Sequence, residues 1–444
     1  MPSTAAATLA ARGPFTSLPV DEDATYRKVG WRILPLLIIC FIFAYFDRVN
    51  ISFAKLQMQA DLNLSEAAYG LGAGIFFFGY FLFEVPSNIM LHKIGARTWI
   101  ARIMITWGIA STCMMFVQSE TSFYILRFLV GVAEAGFLPG IILYFTYWFP
   151  AKRRARINAW FMTSIAISGV IGGPLAGLIM TQFAGMHGLA GWQWLFLLEG
   201  APTVLLGLAV LFILKDKIKD APWLNDGEKQ LLETRIAAEQ QDTEHDFRAA
   251  LRQPGTLLLT VIYLFMLMGL YGLTFWMPQL IKNTGVTSTL TVGMLSAIPY
   301  AAAGIGMVLI GMSSDRSGER RWHLGLAVAA GGIGYILSAW FGDNTGFAIG
   351  ALALAAVGVI GCLPVFWTLP PKFLSGAAAA GGIALINSVA NLGGIISPYL
   401  VGKVKDMTGS TEIGLYVIAG FTLIAAALIL FALPARIVQR DKVA

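Results

Sequence analysis

The stretch ILPLLIICFIFAYFDRVNIS (33–52) is long and apolar enough to cross a bilayer, yet it carries Asp47 and Arg48 inside it. A helix rises 1.5 Å per residue, so about 20 apolar residues span the hydrocarbon core. A charge at that depth costs roughly 2.5–3.5 kcal/mol on insertion scales, and charges kept there mark functional sites by default. A second pair, Arg127 and Glu134, lies inside another apolar run.

The rest of the chain repeats the pattern. Of 444 residues, 57% are hydrophobic and 13% charged, against about 25% charged in soluble domains. Membrane-length runs recur near 31–53, 67–91, 97–117, 121–149, 156–181, 193–214, 254–283, 290–313, 322–341, 346–369, 376–402 and 412–435. The fold class expected is an all-α membrane protein with twelve spans in two six-helix pseudo-symmetric bundles. Its divisions are an N-terminal tail (1–30), a first bundle (31–214), a central loop (215–253), a second bundle (254–435) and a C-terminal tail (436–444). In the polar central stretch, Leu231, Leu232 and Ile236 suit a short amphipathic helix at the membrane surface, and a solvated linker suits it equally.

The net charge of +6 sits in loops and reads as membrane topology, not nucleic-acid binding. Lys93/Arg97, Lys152/Arg153/Arg154/Arg156, the central stretch, Arg316/Arg320/Arg321 and Arg436/Arg440/Lys442 fall on one side if every run spans. Both termini and the central loop are therefore expected in the cytoplasm, with Lys403 and Lys405 dissenting. Residues 1–30 show no signal-peptide pattern. Cys40, Cys113 and Cys362 read as small buried hydrophobes. His92, His187, His245 and His323 fall at segment ends or in loops, which argues against a histidine metal site. No G-x-x-x-x-G-K-[ST] loop is present, so the energy source expected is an ion gradient with no cofactor. An enzyme is disfavoured, because no metal-ligand set or Ser/His/Asp arrangement lies at one membrane depth.

The halves echo each other. HKIGARTW (92–99) joins runs two and three, as GMSSDRSGERR (311–321) joins runs eight and nine. SGVIGGPLAG (168–177) parallels NLGGIISPYLVG (391–402). Repeated six-helix units point to a transporter with its site between the halves near midplane. Asp315, Arg316 and Arg320 are read as a gating latch between runs eight and nine. GLGAGIFFFG (70–79) and Gly172-Gly173-Pro174 are read as close helix packing.

Arg127 and Glu134 are seven residues apart, about 10.5 Å of rise with only ~20° of rotation. They share one face of the fourth helix, where a cation binds an anion and a carboxyl carries a proton. Adjacent residues point about 100° apart, so Asp47 and Arg48 need not pair: Asp47, on one face with Asn50, can look into the cavity while Arg48 meets another helix. Tyr45, Tyr80, Tyr271, Trp367, Asn387 and Asn391 sit at plausible cavity depth. Asn387 and Asn391 are one turn apart, and buried amides demand partners; a substrate hydroxyl or a neighbouring helix would serve.

Two six-helix halves, the G-x-x-x-D-R-x-G-x-R-R loop and the Gly-Gly-Pro fifth helix resemble the major facilitator superfamily. FDRVNISFAKLQMQADLNLSEAAYGLGAGIFFFGYFLFEVPSNIML (46–91) and RFLVGVAEAGFLPGIILYFTYWFP (127–150) resemble its anion:cation symporter branch, bacterial tartrate-type transporters most of all. The resemblance implies proton-coupled uptake of a small organic anion at the bacterial inner membrane. Tartrate, other sugar acids, dicarboxylates and aromatic carboxylates all fit; an organic-anion exchanger or effluxer is the alternative. It makes Glu134 and Asp47 the proton sites, has Arg127 engage either the substrate or the Glu134 carboxylate, and places Tyr45, Tyr80, Trp367 and Asn387 on the pocket wall; Arg48 is read beside Arg127 as a second substrate-binding cation. One chain suffices for this architecture, so a monomer is expected. The first cytoplasmic loop departs from the superfamily pattern, because no Asp precedes Lys93; its usual salt bridge is in doubt.

Overall fold

The computed structural model describes residues 21–238, 254–372 and 376–434. Among them are twelve helices or helix pairs long and apolar enough to cross a membrane. The first half comprises α1 (Glu22–Asp61), α2 (Glu66–Ile94), α3 (Ala96–Cys113), α4 (Glu120–Glu134), α5 (Phe137–Thr146), α6 (Ala151–Gln182) and α7 (Gly191–Ile213). A short α8 (Asp226–Ala237) follows. The second half comprises α9 (Pro254–Asn283), α10 (Thr289–Ser317), α11 (Arg321–Trp340), α12 (Thr345–Val359), α13 (Leu363–Phe366), α14 (Gly376–Asn391), α15 (Gly393–Thr408) and α16 (Thr411–Ala427). Spans four, ten and eleven are each made of two helices: α4 with α5, α12 with α13, α14 with α15.

Local chemistry sets the ends. Helix α1 starts at Glu22, earlier than the run near 31, because the Asp21 carboxylate caps it, accepting from Asp23 N at 2.9 Å and Ala24 N at 3.1 Å. Residues 22–30 are thus part of the first helix and not of a tail. Helix α4 starts in a reciprocal Ser119–Ser122 capping box. In the first loop, Asp216, beyond α7, supplies the acid that position 92 lacks: its carboxylate accepts from Arg97 N at 2.8 Å and lies 3.9 Å from Arg97 Nε.

The central stretch does form a helix. Leu232 of α8 is buried, while Lys28 pairs with Glu228 at 2.8 Å and Arg235 with Glu22 at 2.8 Å. These bonds dock α8 on the start of α1. Residues 239–253, the C-terminal tail from 435 onward and His245 lie outside the described residues.

Helices α1–α7 pack on one another, and so do α9–α16. The halves meet along three seams: α2 against α15, α6 against α10, and α1 against α9. Their polar contacts concentrate at the end away from the termini. There Glu66, opening α2, pairs with Lys55 of α1 at 2.6 Å and with Lys405 of α15. Asp406 of α15 caps α2 from the opposite half, accepting from Glu66 N at 3.1 Å and Ala67 N at 2.8 Å. Lys55 lies 3.7 Å above the Trp276 ring. The dissenting Lys405 is therefore half of a contact that closes the bundles.

Candidate functional site

Helix α4 buries Phe123, Arg127, Val130, Gly131 and Glu134, a single stripe as the seven-residue spacing requires. The stripe lies against α2 so closely that a methyl on Gly131 would sit 2.0 Å from Phe76 O. Arg127 is 1% exposed. It donates to the carbonyls of Gly72 (Nε, 3.4 Å) and Ala73 (Nη2, 3.3 Å) and lies 5.2 Å from the Phe76 ring. The α4–α2 seam holds it.

Glu134 is the last residue of α4. The chain breaks beyond it at Gly136, whose φ of +85° disfavours a side chain and whose added methyl would meet Ser87 Oγ at 2.5 Å. A helix C-terminus carries partial negative charge, so a carboxylate there calls for a cation. Arg48 of α1 supplies it by pairing directly with Glu134. Arg127 and Glu134 therefore share a face without pairing.

Asp47 and Arg48 diverge as adjacent helical residues must: Arg48 meets another helix, as expected, through Glu134, but Asp47 does not look toward the seam. Asp47 turns away from the seam between the halves. It accepts from Ser111 Oγ of α3 at 2.6 Å, Asn50 Nδ2 at 3.2 Å and Thr203 Oγ1 of α7 at 3.4 Å, inside the first bundle. Hydroxyl donors on α3 and α7 draw it there. Arg48 points to the seam, 5.4 Å from the Phe76 ring and 5.6 Å from the Tyr80 ring. Its side chain is 18% exposed where that of Glu134 is 1%, and Asp47 and Arg127 are buried. Of the four intramembrane charges singled out in the sequence, Arg48 is the least buried.

The second half contributes facing polar groups. Tyr271 of α9 packs on Phe77, with ring centroids 4.3 Å apart, and donates to Asn391 Oδ1 at 2.9 Å. Asn391 closes α14 and donates to Asn387 O at 3.0 Å. The eleventh span breaks at Leu392, immediately after it. Tyr45 meets Tyr300 of α10 edge to face across the α1–α10 approach. Tyr80, Tyr271, Asn387 and Asn391 thus surround the α2–α9–α14 junction that Arg48 faces. Trp367 is half-buried against Tyr263, 5.0 Å between centroids, two helical turns along α9 from Tyr271.

The latch residues divide as well. Arg320 bonds Asp315 at 2.6 Å and Ser314 Oγ at 2.7 Å, while Arg316 is exposed. Arg321 reaches instead to the Leu430 and Leu433 carbonyls at the end of span twelve.

Four buried or gate-forming charges went unread in the sequence. Glu84, on α2, accepts from Ser388 Oγ of α14 at 3.1 Å, across the halves. Lys55 and Glu66 build the closed end, and Glu199 of α7 is 2% exposed. Glu84, Lys55 and Glu199 each interrupt an apolar segment, so the rule that singled out Asp47 applies to them too.

This arrangement of two six-span bundles has known counterparts. A family model described as Major Facilitator Superfamily matches residues 37–398. The chain belongs to the major facilitator superfamily. It is 49% identical over 420 residues to the putative metabolite transport protein NicT of Pseudomonas putida, covering 94% of this chain and 96% of that one. It is 48% identical over 414 residues to a putative tartrate transporter of Agrobacterium vitis, covering 92% and 91%. A crystal structure of a bacterial homolog of the human lysosomal transporter Spinster, inward-facing and unoccupied, superposes with a TM-score of 0.74 at 18% identity, covering 92% of this chain and 97% of that one. That last likeness is one of fold. The superfamily member described here is a multi-pass secondary transporter and not an enzyme.

Proposed function

We propose that this transporter couples proton movement to the uptake of a small organic anion, with Arg48 as the anion-binding cation and Glu134 as the proton carrier that competes for it. The observation that carries the reading is the Arg48–Glu134 pair at the seam, with Arg48 the least buried of the four intramembrane charges. A guanidinium offers a planar fork matched to a carboxylate and stays charged at working pH. A substrate carboxylate and the Glu134 carboxylate compete for the same fork. A proton on Glu134 removes the competitor, so proton and anion each improve the other's binding by one shared coupling energy. Arg127, fixed on helix carbonyls beside Phe76, adds positive potential that favours an anion. Tyr80, Tyr271, Asn387 and Asn391 supply hydroxyl and amide groups, which suit a hydroxylated acid such as tartrate or another sugar acid. The relatives named as putative tartrate transporters support a carboxylate cargo.

The excess of Lys and Arg at the terminal end supports a cytoplasmic position for both termini. On that orientation the closed Lys55–Glu66–Lys405 end faces outward, and one chain forms the whole path.

A thermal-shift screen of sugar acids, dicarboxylates and aromatic acids identifies a working substrate for proteoliposomes. With that acid, Glu134→Gln is expected to lose accumulation driven by a pH gradient while retaining substrate-for-substrate counterflow. Undiminished gradient-driven accumulation in Glu134→Gln refutes the coupling role.

A further inference from the structure

The first bundle holds a carboxyl that this mechanism leaves unused. Glu199 of α7 is 2% exposed, and its Oε2 has no hydrogen-bond donor among the described residues. The groups facing it are Asp47 and Asn50 from α1 and Ser168 with Gly169, Gly172 and Gly173 from α6; none is a cation. From α3, Ser111 is committed to Asp47. Asn50 stands between the two carboxyls: its Nδ2 donates to Asp47 at 3.2 Å, it lies within reach of Glu199, and its Oδ1 has no donor. Thr203, one turn past Glu199, lies 3.4 Å from Asp47 Oδ2. Asp47 also feels Arg127 and Glu134 of α4 at longer range and has Trp107 of α3 beside it, but neither carboxyl has an ion-pair partner among the described residues; two carboxylates so placed cannot both stay ionised, and such pairs titrate as a unit.

We propose that Glu199 is a proton-binding residue of the transport cycle, sharing one proton with Asp47 through Asn50. The orphaned Asn50 Oδ1 and Glu199 Oε2 then become acceptor and donor of one hydrogen bond. The proton has a gated way out. A cleft with room for about one water runs from Glu199 along the α6 glycines. Helix α10 covers the far side of those glycines: a methyl on Gly173 would sit 2.7 Å from Gly293 O, and one on Gly169 would sit 2.3 Å from the Tyr300 ring. Because α6 belongs to one half and α10 to the other, the cluster becomes wet when the halves part there. Bundle motion thereby times the exchange of the shared proton.

This assignment rests on proton-coupled transport, but protonation is readable without transport. Acid-minus-alkaline infrared difference spectra of the purified full-length protein report the protonated-carboxyl stretch. The expected result is loss of part of that band in Glu199→Gln and a displaced titration midpoint of the remainder in Asp47→Asn. In the unaltered protein, dicyclohexylcarbodiimide, which adds to protonated carboxyls in apolar surroundings, is expected to label Glu199 increasingly as pH falls. An unchanged band in folded Glu199→Gln, or Glu199 labelling that is absent or independent of pH, overturns the proposal. If Glu199→Gln does not fold, the labelling alone decides. Failure of the unaltered protein to accumulate its substrate on a pH gradient would instead refute coupling, whatever the infrared result.

Discussion

At the level of single residues, the four intramembrane charges have separate duties that their positions alone did not reveal. Arg127 is satisfied by main-chain carbonyls, Asp47 by hydroxyls and an amide, and Glu134 by Arg48. Only Arg48 has a partner that a ligand can displace. Arg48→Lys keeps the charge but loses the bidentate fork. Hydrogen bonds to charged groups are worth about 1.5–3 kcal/mol, so substrate affinity should fall roughly ten- to a hundredfold. Calorimetric titration with the screened acid measures this; unchanged affinity would show that the anion binds elsewhere. Asp47 and Arg48 were legible as functional because charge in an apolar run is costly. Which of the two faces the other half was not legible, because 100° of separation allows either choice and the Ser111 and Thr203 hydroxyls on distant helices decide it.

At the level of elements, contacts between helices control what the residues do. The α2–α4 crossing has no room for a side chain at Gly131. Gly131→Ala should destabilise the protein by roughly 1–3 kcal/mol through overpacking, visible as a lowered melting temperature in detergent. At the closed end, Glu66 binds two lysines, and the Asp406 carboxylate caps its helix from the opposite half. Glu66→Gln removes the charge that holds both lysines. Spin labels placed on the exposed ends of α2 and α15 should report a broader, longer distance distribution than in the parent; an unaltered distribution would show that apolar packing alone closes that end. Outside the membrane, burial by itself raises the Glu228 carboxyl, but the Lys28 ammonium and the Asn225 main chain outweigh it and hold the group below its ordinary 4.5. A depressed acid stabilises above its ordinary range and loses that contribution as pH falls through its folded value. Docking of α8 on α1 should accordingly loosen at acid pH, read as faster amide exchange in α8. The twelve spans were visible as apolar runs, and α8 only as one of two equal readings of the central stretch. The breaks after Glu134 and Asn391 were not, because an apolar run looks the same whether its helix is continuous or split.

For the whole molecule, function depends on two bundles exchanging their contacts. Gly402 of α15 is pressed against α2, where a methyl would lie 2.2 Å from Glu66 O. Gly402→Trp should hold that end apart. The expected outcome is loss of net uptake together with reactivity of a cysteine at position 55 toward a membrane-impermeant thiol reagent added outside; uptake at the parent rate would show that the α2–α15 seam need not close. Hydropathy and spacing, which are local, carry the membrane class, the twelve spans, the repeat and the residues whose charge demands explanation; the superfamily was legible as a resemblance of motifs. Tertiary structure alone decided that Arg48 and not Asp47 meets the other half, that Glu134 pairs with Arg48 and not Arg127, and that Lys405 closes a gate. Each of these is a choice of partner between helices far apart in sequence, and the direction a side chain takes is set by the groups that the opposing helices offer it.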